Sequence, residues 1–264
     1  MTMPTTRTLG RNAGFLANVR AVAIRALRSL PRDVEGTIPA LVIPVFFFIV
    51  NVGALQDFAQ NIPGLDYKAF QLPVAIVFAV TGVSRAITLV TDIQTGYFDR
   101  LSLTPVNRLA LLLGLMVADF AMVVVLTIPV LILGFAVGVR FEAGVAGVLV
   151  FILTAGIWGL VYTGFPYAIA LKTGSPAAVN SSFLLFFPFT FLTTLFLPKE
   201  ALTGWLSTVA SFNPVTYLLE GLRSLVSIGW DGAALAKCYA AIAAVGVPSI
   251  GLALWALRGR VTRA

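Results

Sequence analysis

Residues 36–56 read GTIPALVIPVFFFIVNVGALQ, with no charge at any position. An α-helix rises 1.5 Å per residue, so about 20 apolar residues cross a hydrocarbon layer ~30 Å thick. This stretch has that length and that character. Pro39 and Pro44 are expected to bend the helix, which neighbouring helices in a membrane tolerate. Similar apolar blocks follow at about 69–91, 109–139, 143–171, 177–197 and 238–257, the fifth interrupted by Pro188 and the last bounded by Lys237 and Arg258. Six blocks of this kind predict an all-α polytopic membrane protein with six transmembrane helices.

Composition agrees. The 264 residues are 59% hydrophobic and only 11% charged, and the mean hydropathy is +0.96. A soluble domain of this size needs far more surface charge. The formal charge of +7 does not point to nucleic acid, because the arginines gather at block boundaries. There they set orientation and meet anionic lipid headgroups.

The residue inventory removes several functions. The chain has no histidine and one cysteine, Cys238. Ser-His-Asp, Cys-His and His-metal chemistry are therefore absent, no metal site is expected, and no intrachain disulfide can form. Cys238 lies in an apolar run and reads as a small packing residue. An aspartyl enzyme needs two carboxylates sharing a site, whereas Asp119 is the single acid well inside a block. No G-x-x-x-x-G-K-[ST] loop occurs and no lysine follows a glycine, so the chain has no phosphate loop of its own.

Residues 15–31 precede the first block. Phe15, Leu16, Val19, Val22, Ala23, Ala26, Leu27 and Leu30 recur at helical spacing, with Arg20, Arg25, Arg28 and Arg32 mostly off that stripe. This predicts a basic amphipathic helix lying in a membrane interface, or else packed on its own protein. The arm is too long and arginine-rich for a cleavable signal, so the first block is expected to remain as an anchor. We expect residues 1–35 to form a cytoplasmic arm with an interfacial amphipathic helix and 36–264 a six-helix transmembrane domain.

Six spans place both termini on one side. The arm, Arg100 and Arg108 in the 92–108 loop, Lys172, and the tail with Arg258, Arg260 and Arg263 carry the cationic bias. On the other side Lys68, Arg140, Lys199, Arg223 and Lys237 mix with Asp57, Asp66, Glu142, Glu200, Glu220 and Asp231. The positive-inside rule puts both termini and the 92–108 loop in the cytoplasm.

Two loops carry more than a connection requires. In TGYFDRLSLTPVNR, residues 95–108, Gly96 breaks the chain. Tyr97, Phe98, Leu101 and Leu103 offer an apolar face beside Asp99 and Arg100, and Pro105 stops the local helix. Such an element suits a groove on a partner protein or the membrane surface. Residues 198–232 are too apolar for water and too broken to span. Asn213 as N-cap and Pro214 at the first helical position predict a helix start, and Glu220 can pair with Arg223 one turn on. Short re-entrant helices before the last span are the expected form. Within the membrane, Arg85 is expected to snorkel to an interface, and Asp119 either bonds within the bundle, pairs with Arg85, or carries a proton or sodium ion. The G-x-x-x-G at Gly134 and Gly138 allows close helix contact, and no internal repeat is apparent.

The residues GYFDRLSLTPVNR followed by LALLLG resemble the loop after the second membrane helix in permeases of type-2 ABC exporters, of the daunorubicin-resistance type. FLPKEALTGWLSTVASFNPVTYLLEGLR resembles the family's region before its last helix, with Asn213, Pro214, Tyr217, Glu220 and Arg223 at the motif positions. Many relatives carry glutamate where this chain has Asp99. The resemblance implies a coupling helix at 92–108 that inserts into a separate ATP-binding subunit, with ATP and magnesium bound there rather than in this chain. It also implies an interfacial amino-terminal helix, re-entrant helices in 198–232 and a second permease half, expected to be an identical chain. The expected function is export of an amphipathic or hydrophobic molecule, a drug-like natural product or envelope lipid, across a bacterial cytoplasmic membrane. Phe46, Phe47, Phe48, Phe183, Phe186 and Phe187 are candidates for an apolar path. The alternative is an ion-coupled secondary transporter using Asp119; a membrane scaffold without transport leaves the two loops without a purpose.

Overall fold

The computed structural model describes residues 14–29, 34–59, 61–81, 84–102 and 108–261. Among them the secondary structure is helical throughout. The basic stretch forms α1 (Phe15–Ser29), and the first apolar block forms α2 (Val34–Ala59), which runs unbroken through Pro39 and Pro44. Among the described residues four segments are long and apolar enough to cross a membrane: Ile38–Asp57, Leu109–Ala136, Gly144–Thr173 and Gly232–Arg260.

The second block is not one helix. It divides into α3 (Tyr67–Thr81) and α4 (Ala86–Gln94), followed by the short α5 (Tyr97–Ser102). The third block is α6 (Arg108–Ala136). The fourth is α7 (Gly144–Tyr162) and α8 (Gly164–Thr173), which meet at Thr163. The fifth is the short α9 (Pro176–Phe191), after which the chain leaves helical geometry. Then come a 3-10 turn at Lys199–Ala201, α10 (Gly204–Phe212), α11 (Pro214–Ser227) and α12 (Gly232–Val261). The last block therefore does not begin at Lys237, which lies inside α12. Asp231 starts that helix by accepting the N–H groups of Ala233 and Ala234 at 2.9 and 3.0 Å.

Among the described residues two large apolar cores are stacked end to end, with a small third cluster of Ala59, Tyr67 and Phe70. One gathers α3, the second half of α6, α7, α11 and the start of α12 around Leu72, Ile76, Phe151, Trp158, Leu218 and Leu222. The other gathers α1, α4, α5, the first half of α6, α8 and the end of α12 around Leu89, Val90, Phe98, Leu111, Leu115 and Leu171. Between them lies a polar layer. It comprises Asp119, Arg85, Thr163 and Ser249, all buried, and Ser249 Oγ donates to the Val161 carbonyl at 2.6 Å.

The stripe of α1 divides its duties. Ala23 and Ala26 are buried against the protein, whereas Leu16 is 78% exposed. The helix seats on α6, where Gly114 allows the approach: a Cβ there would lie 2.6 Å from that of Val22. Gly134 meets Leu72 in the same way, but Gly138 lies past the end of α6 with φ +95°. The expected G-x-x-x-G ridge therefore does not form, because the helix stops before its second glycine. Cys238 is buried where α11 crosses α12 beside Gly221, consistent with a packing role.

Candidate functional site

The loop after α4 begins with a tight turn. Gly96 adopts φ +67°, a left-handed conformation that costs glycine little. Arg100 folds back over this turn, donating from Nε to the Gly96 carbonyl at 3.3 Å and from Nη2 to the Thr95 carbonyl at 3.2 Å. The Gly96 carbonyl also accepts the backbone N–H of Arg100 at 3.1 Å, so Arg100 pins the turn with both its main chain and its side chain. Gln94 Nε2 donates to the Gly174 carbonyl at 2.9 Å and ties the same end to the α8–α9 turn.

α5 is seated from inside. Phe98 is buried in the core of α4, α6 and α1. It therefore faces its own chain rather than a partner, because the Gly96 turn directs it back onto Leu89 and Leu115. Tyr97 stays partly open, with the Arg25 guanidinium 4.5 Å from its ring centre. The same guanidinium donates to Asp92 Oδ2 at 2.6 Å. One side chain of α1 thus holds both the end of α4 and the start of α5, a contact no local signal reveals. Asp99 and Leu101 lie on α5, but their side chains fall outside the described residues, as do Leu103 and Pro105 altogether.

The structure brings Asp119 and Arg85 together. Asp119 Oδ1 accepts the backbone N–H of Arg85 at 3.0 Å, and Oδ2 accepts the Tyr167 hydroxyl at 2.6 Å. Arg85 does not snorkel. It is 5% exposed, and its Nη2 lies 3.7 Å from Met122 Sδ. At the start of α4 the main chain of Arg85 meets Asp119, while its side chain turns into the bundle toward Met122.

The 198–232 region is wired to two distant helices. Asn213 Oδ1 accepts from Val215 N at 3.0 Å as the N-cap of α11, with Pro214 next in line. Its Nδ2 donates to the carbonyls of Phe189 and Leu192 at 2.7 and 3.0 Å, closing the end of α9. Tyr217 donates to the Ser211 carbonyl at 2.6 Å. Arg223 does not pair with Glu220. Its guanidinium donates to Phe70 O, Thr194 Oγ1 and Thr194 O at 3.1, 3.0 and 2.8 Å and lies 3.4 Å from the centre of the Phe70 ring. Glu220 remains partly buried, which raises its carboxyl above the ordinary range while Lys199, Arg223 and Lys237 act the other way.

Of the candidate path residues, Phe48 and Phe186 are buried in the first core, and Phe47 stacks on Phe78 at 4.6 Å. Phe46 and Phe187 remain exposed.

A family model for ABC-2 type transporters matches residues 17–226. That is most of the chain and includes α1, α5 and α11, so the protein belongs to the ABC-2 type transporter family and is a multi-pass membrane protein of an ABC transporter. Among its relatives is the daunorubicin resistance ABC transporter permease protein DrrB1 of Streptomyces coeruleorubidus. The two are 27% identical over 226 residues, covering 82% of this chain and 78% of that one. The probable doxorubicin resistance ABC transporter permease protein DrrC of Mycobacterium tuberculosis is 28% identical over 219 residues, 81% of this chain and 79% of the relative. A putative transport permease, ycf38, of Pyropia yezoensis is 23% identical over 230 residues, 82% and 77% of the two chains.

Proposed function

We propose that this chain is the membrane permease half of an ATP-driven exporter that moves an amphipathic or hydrophobic molecule out across a bacterial cytoplasmic membrane. The relatives named for daunorubicin and doxorubicin resistance support a drug-like natural product as the cargo class. An envelope lipid has the same amphipathic chemistry. ATP and magnesium bind a separate subunit, in keeping with a sequence that lacks a phosphate loop.

The seating of α5 is the observation that carries this reading. A short helix beyond a glycine turn is held from inside by Phe98 and from the side by Arg25. A helix fixed to the bundle but open on its outer side can pass a push from an ATP-binding subunit into the second core. Residues 92–108 are the coupling segment, with Tyr97, Asp99, Arg100, Leu101, Leu103 and Pro105 offered to the partner.

In this reading α3–α4 and α9 with its non-helical continuation complete six spans, 198–232 is a re-entrant segment at the outer surface, and both termini are cytoplasmic. Residues 1–35 form the arm and 36–264 the permease domain. α2 leaves Ile38, Val42, Phe46 and Ile49 uncovered, which supports a second, identical half against it as well as lipid. The ion-coupled alternative draws less support, since two donors of the chain's own already engage the Asp119 carboxylate.

The test is purification of the tagged chain from its native cells in gentle detergent, with mass spectrometry of what accompanies it. A stoichiometric subunit bearing a phosphate loop is the expected result. A chain that purifies alone, while other membrane complexes survive, contradicts the reading.

A further inference from the structure

At the level of the polar layer between the two cores, the main-chain ladder is weakened in several segments. In the fourth apolar block, Pro166 is the third residue of α8 and has no N–H, which removes the donor of the Tyr162 carbonyl. Thr163, between α7 and α8, has φ −64° and ψ −14°, shallower in ψ than an α-helix. In α12, Pro248 removes the donor of the Ala244 carbonyl in the same way. α4 starts here too, and its N-cap, Arg85, offers it no side-chain hydrogen bond. Kinks in helices fall at prolines, and hinges fall at element ends.

Side chains hold the segments together where the ladder is open. Ser249, next to Pro248, donates from Oγ to the Val161 carbonyl at 2.6 Å. Asp119, on α6, accepts the Arg85 N–H and the Tyr167 hydroxyl. The helices also touch closely at this level. A Cβ on Gly164 would lie 2.7 Å from the Ser249 carbonyl oxygen, and one on Gly246 would lie 3.1 Å from Val161. Displacement in a rotation grows with distance from its axis, so contacts this tight survive only close to a pivot.

On either side the packing is apolar. α1, α4, α5 and α8 share one core with the first half of α6 and the end of α12. α3, α7 and α11 share the other. Close-packed cores resist internal rearrangement, so each moves most readily as a body. α6 crosses the level unbroken, and its proline, Pro129, lies beside Val130 of the first core.

We infer that the polar layer is a transverse hinge. The half that carries α5 rocks as one body against the other half, bending at Thr163–Gly164, at Pro248–Ser249 and at the start of α4. α6 is the strut that flexes between them. The hinge is built by this chain alone and stands whether or not an ATP-binding subunit docks at α5.

Electron–electron double resonance on the full chain in lipid nanodiscs tests it, in a Cys238→Ala background. One spin-label pair, at Leu16 on α1 and Val145 on α7, spans the layer. The other, at Leu16 and Arg258 on α12, lies within one body. All three positions are exposed. The spanning pair is expected to give a distance distribution at least two-fold broader than the other pair. Pro248→Ala returns the missing donor to α12 and is expected to narrow the spanning distribution by about a third. Ser249→Ala removes the bond to Val161 and is expected to broaden it, and neither variant should move the pair within one body. A spanning distribution no broader than the other, or one that both variants leave unchanged, overturns the inference. Equal broadening of both pairs in Ser249→Ala marks a loosened bundle and counts against the hinge.

Discussion

The carboxylate of Asp119 bonds to the backbone of Arg85, accepting its N–H at 3.0 Å, while its other oxygen takes the Tyr167 hydroxyl at 2.6 Å. Arg85 stands where α3 gives way to α4, and Tyr167 lies one turn past the junction of α7 and α8. One buried acid thus joins two helix breaks at the level where the two cores meet.

Asp119→Asn tests whether that role is structural. An amide nitrogen cannot accept, so one donor loses its partner, at a cost of about 1–3 kcal/mol. Tyr167→Phe removes a donor instead and leaves one carboxylate oxygen without its bond. Both variants are expected to lower the melting temperature in detergent while leaving the pH profile of transport unchanged. A displaced pH profile in a normally stable Asp119→Asn protein would instead mark an ion-carrying group.

Phe98 predicts a size dependence. Emptying a buried phenylalanine site typically costs about 3–5 kcal/mol, whereas hydrophobic swaps near constant volume cost less than about 1.5. Phe98→Ala is therefore expected to unseat α5 and reduce cargo-stimulated ATP hydrolysis in the assembled transporter, with Phe98→Leu retaining most of it. Equal stimulation in both variants and the parent contradicts the seat.

Arg25 is partly exposed, with side-chain exposures of 44% for it and 21% for Asp92. Such pairs contribute about 0.2–1 kcal/mol, so Arg25→Ala should hardly move the melting temperature. Its effect should be local. Hydrogen exchange over 92–102 is expected to quicken while α11 and α12 keep their protection.

Asn213 does two jobs that substitution can separate. Asn213→Ala removes the cap, worth about 1 kcal/mol, and both donors to the end of α9. Asn213→Asp keeps the acceptor but loses the donors. We expect both to be destabilised, and a stability of Asn213→Asp equal to the parent would show that the α9 carbonyls do not need those bonds.

The long helices were legible because hydropathy alone defines them: α2 and α6 cover the expected blocks to within three residues, whereas α12 begins at Gly232, ahead of the block expected from 238, because Asp231 caps it. The separate start of α4 at Ala86 was not, since AVTGVSRAITLV reads as one apolar run and the residue that accepts the Arg85 N–H lies 34 positions away. Arg223 shows the same limit. Spacing nominated Glu220, but the guanidinium instead reaches Thr194 and Phe70, contacts that exist only after α3 and α11 pack. The Asn213 cap, a local interaction, was read correctly. Phe98 was legible as an anchor but not in its direction, which depends on the Gly96 turn and on α1.

The most direct test of the central claim is a photo-crosslinking amino acid placed at position 97, with a control at position 205. Tyr97 lies beside the α5 seat, and Trp205 is 68% exposed on α10. In native membranes the account predicts that position 97 crosslinks to a subunit carrying a phosphate loop and that position 205 does not. No such adduct from position 97, or the same adduct from position 205, would contradict it.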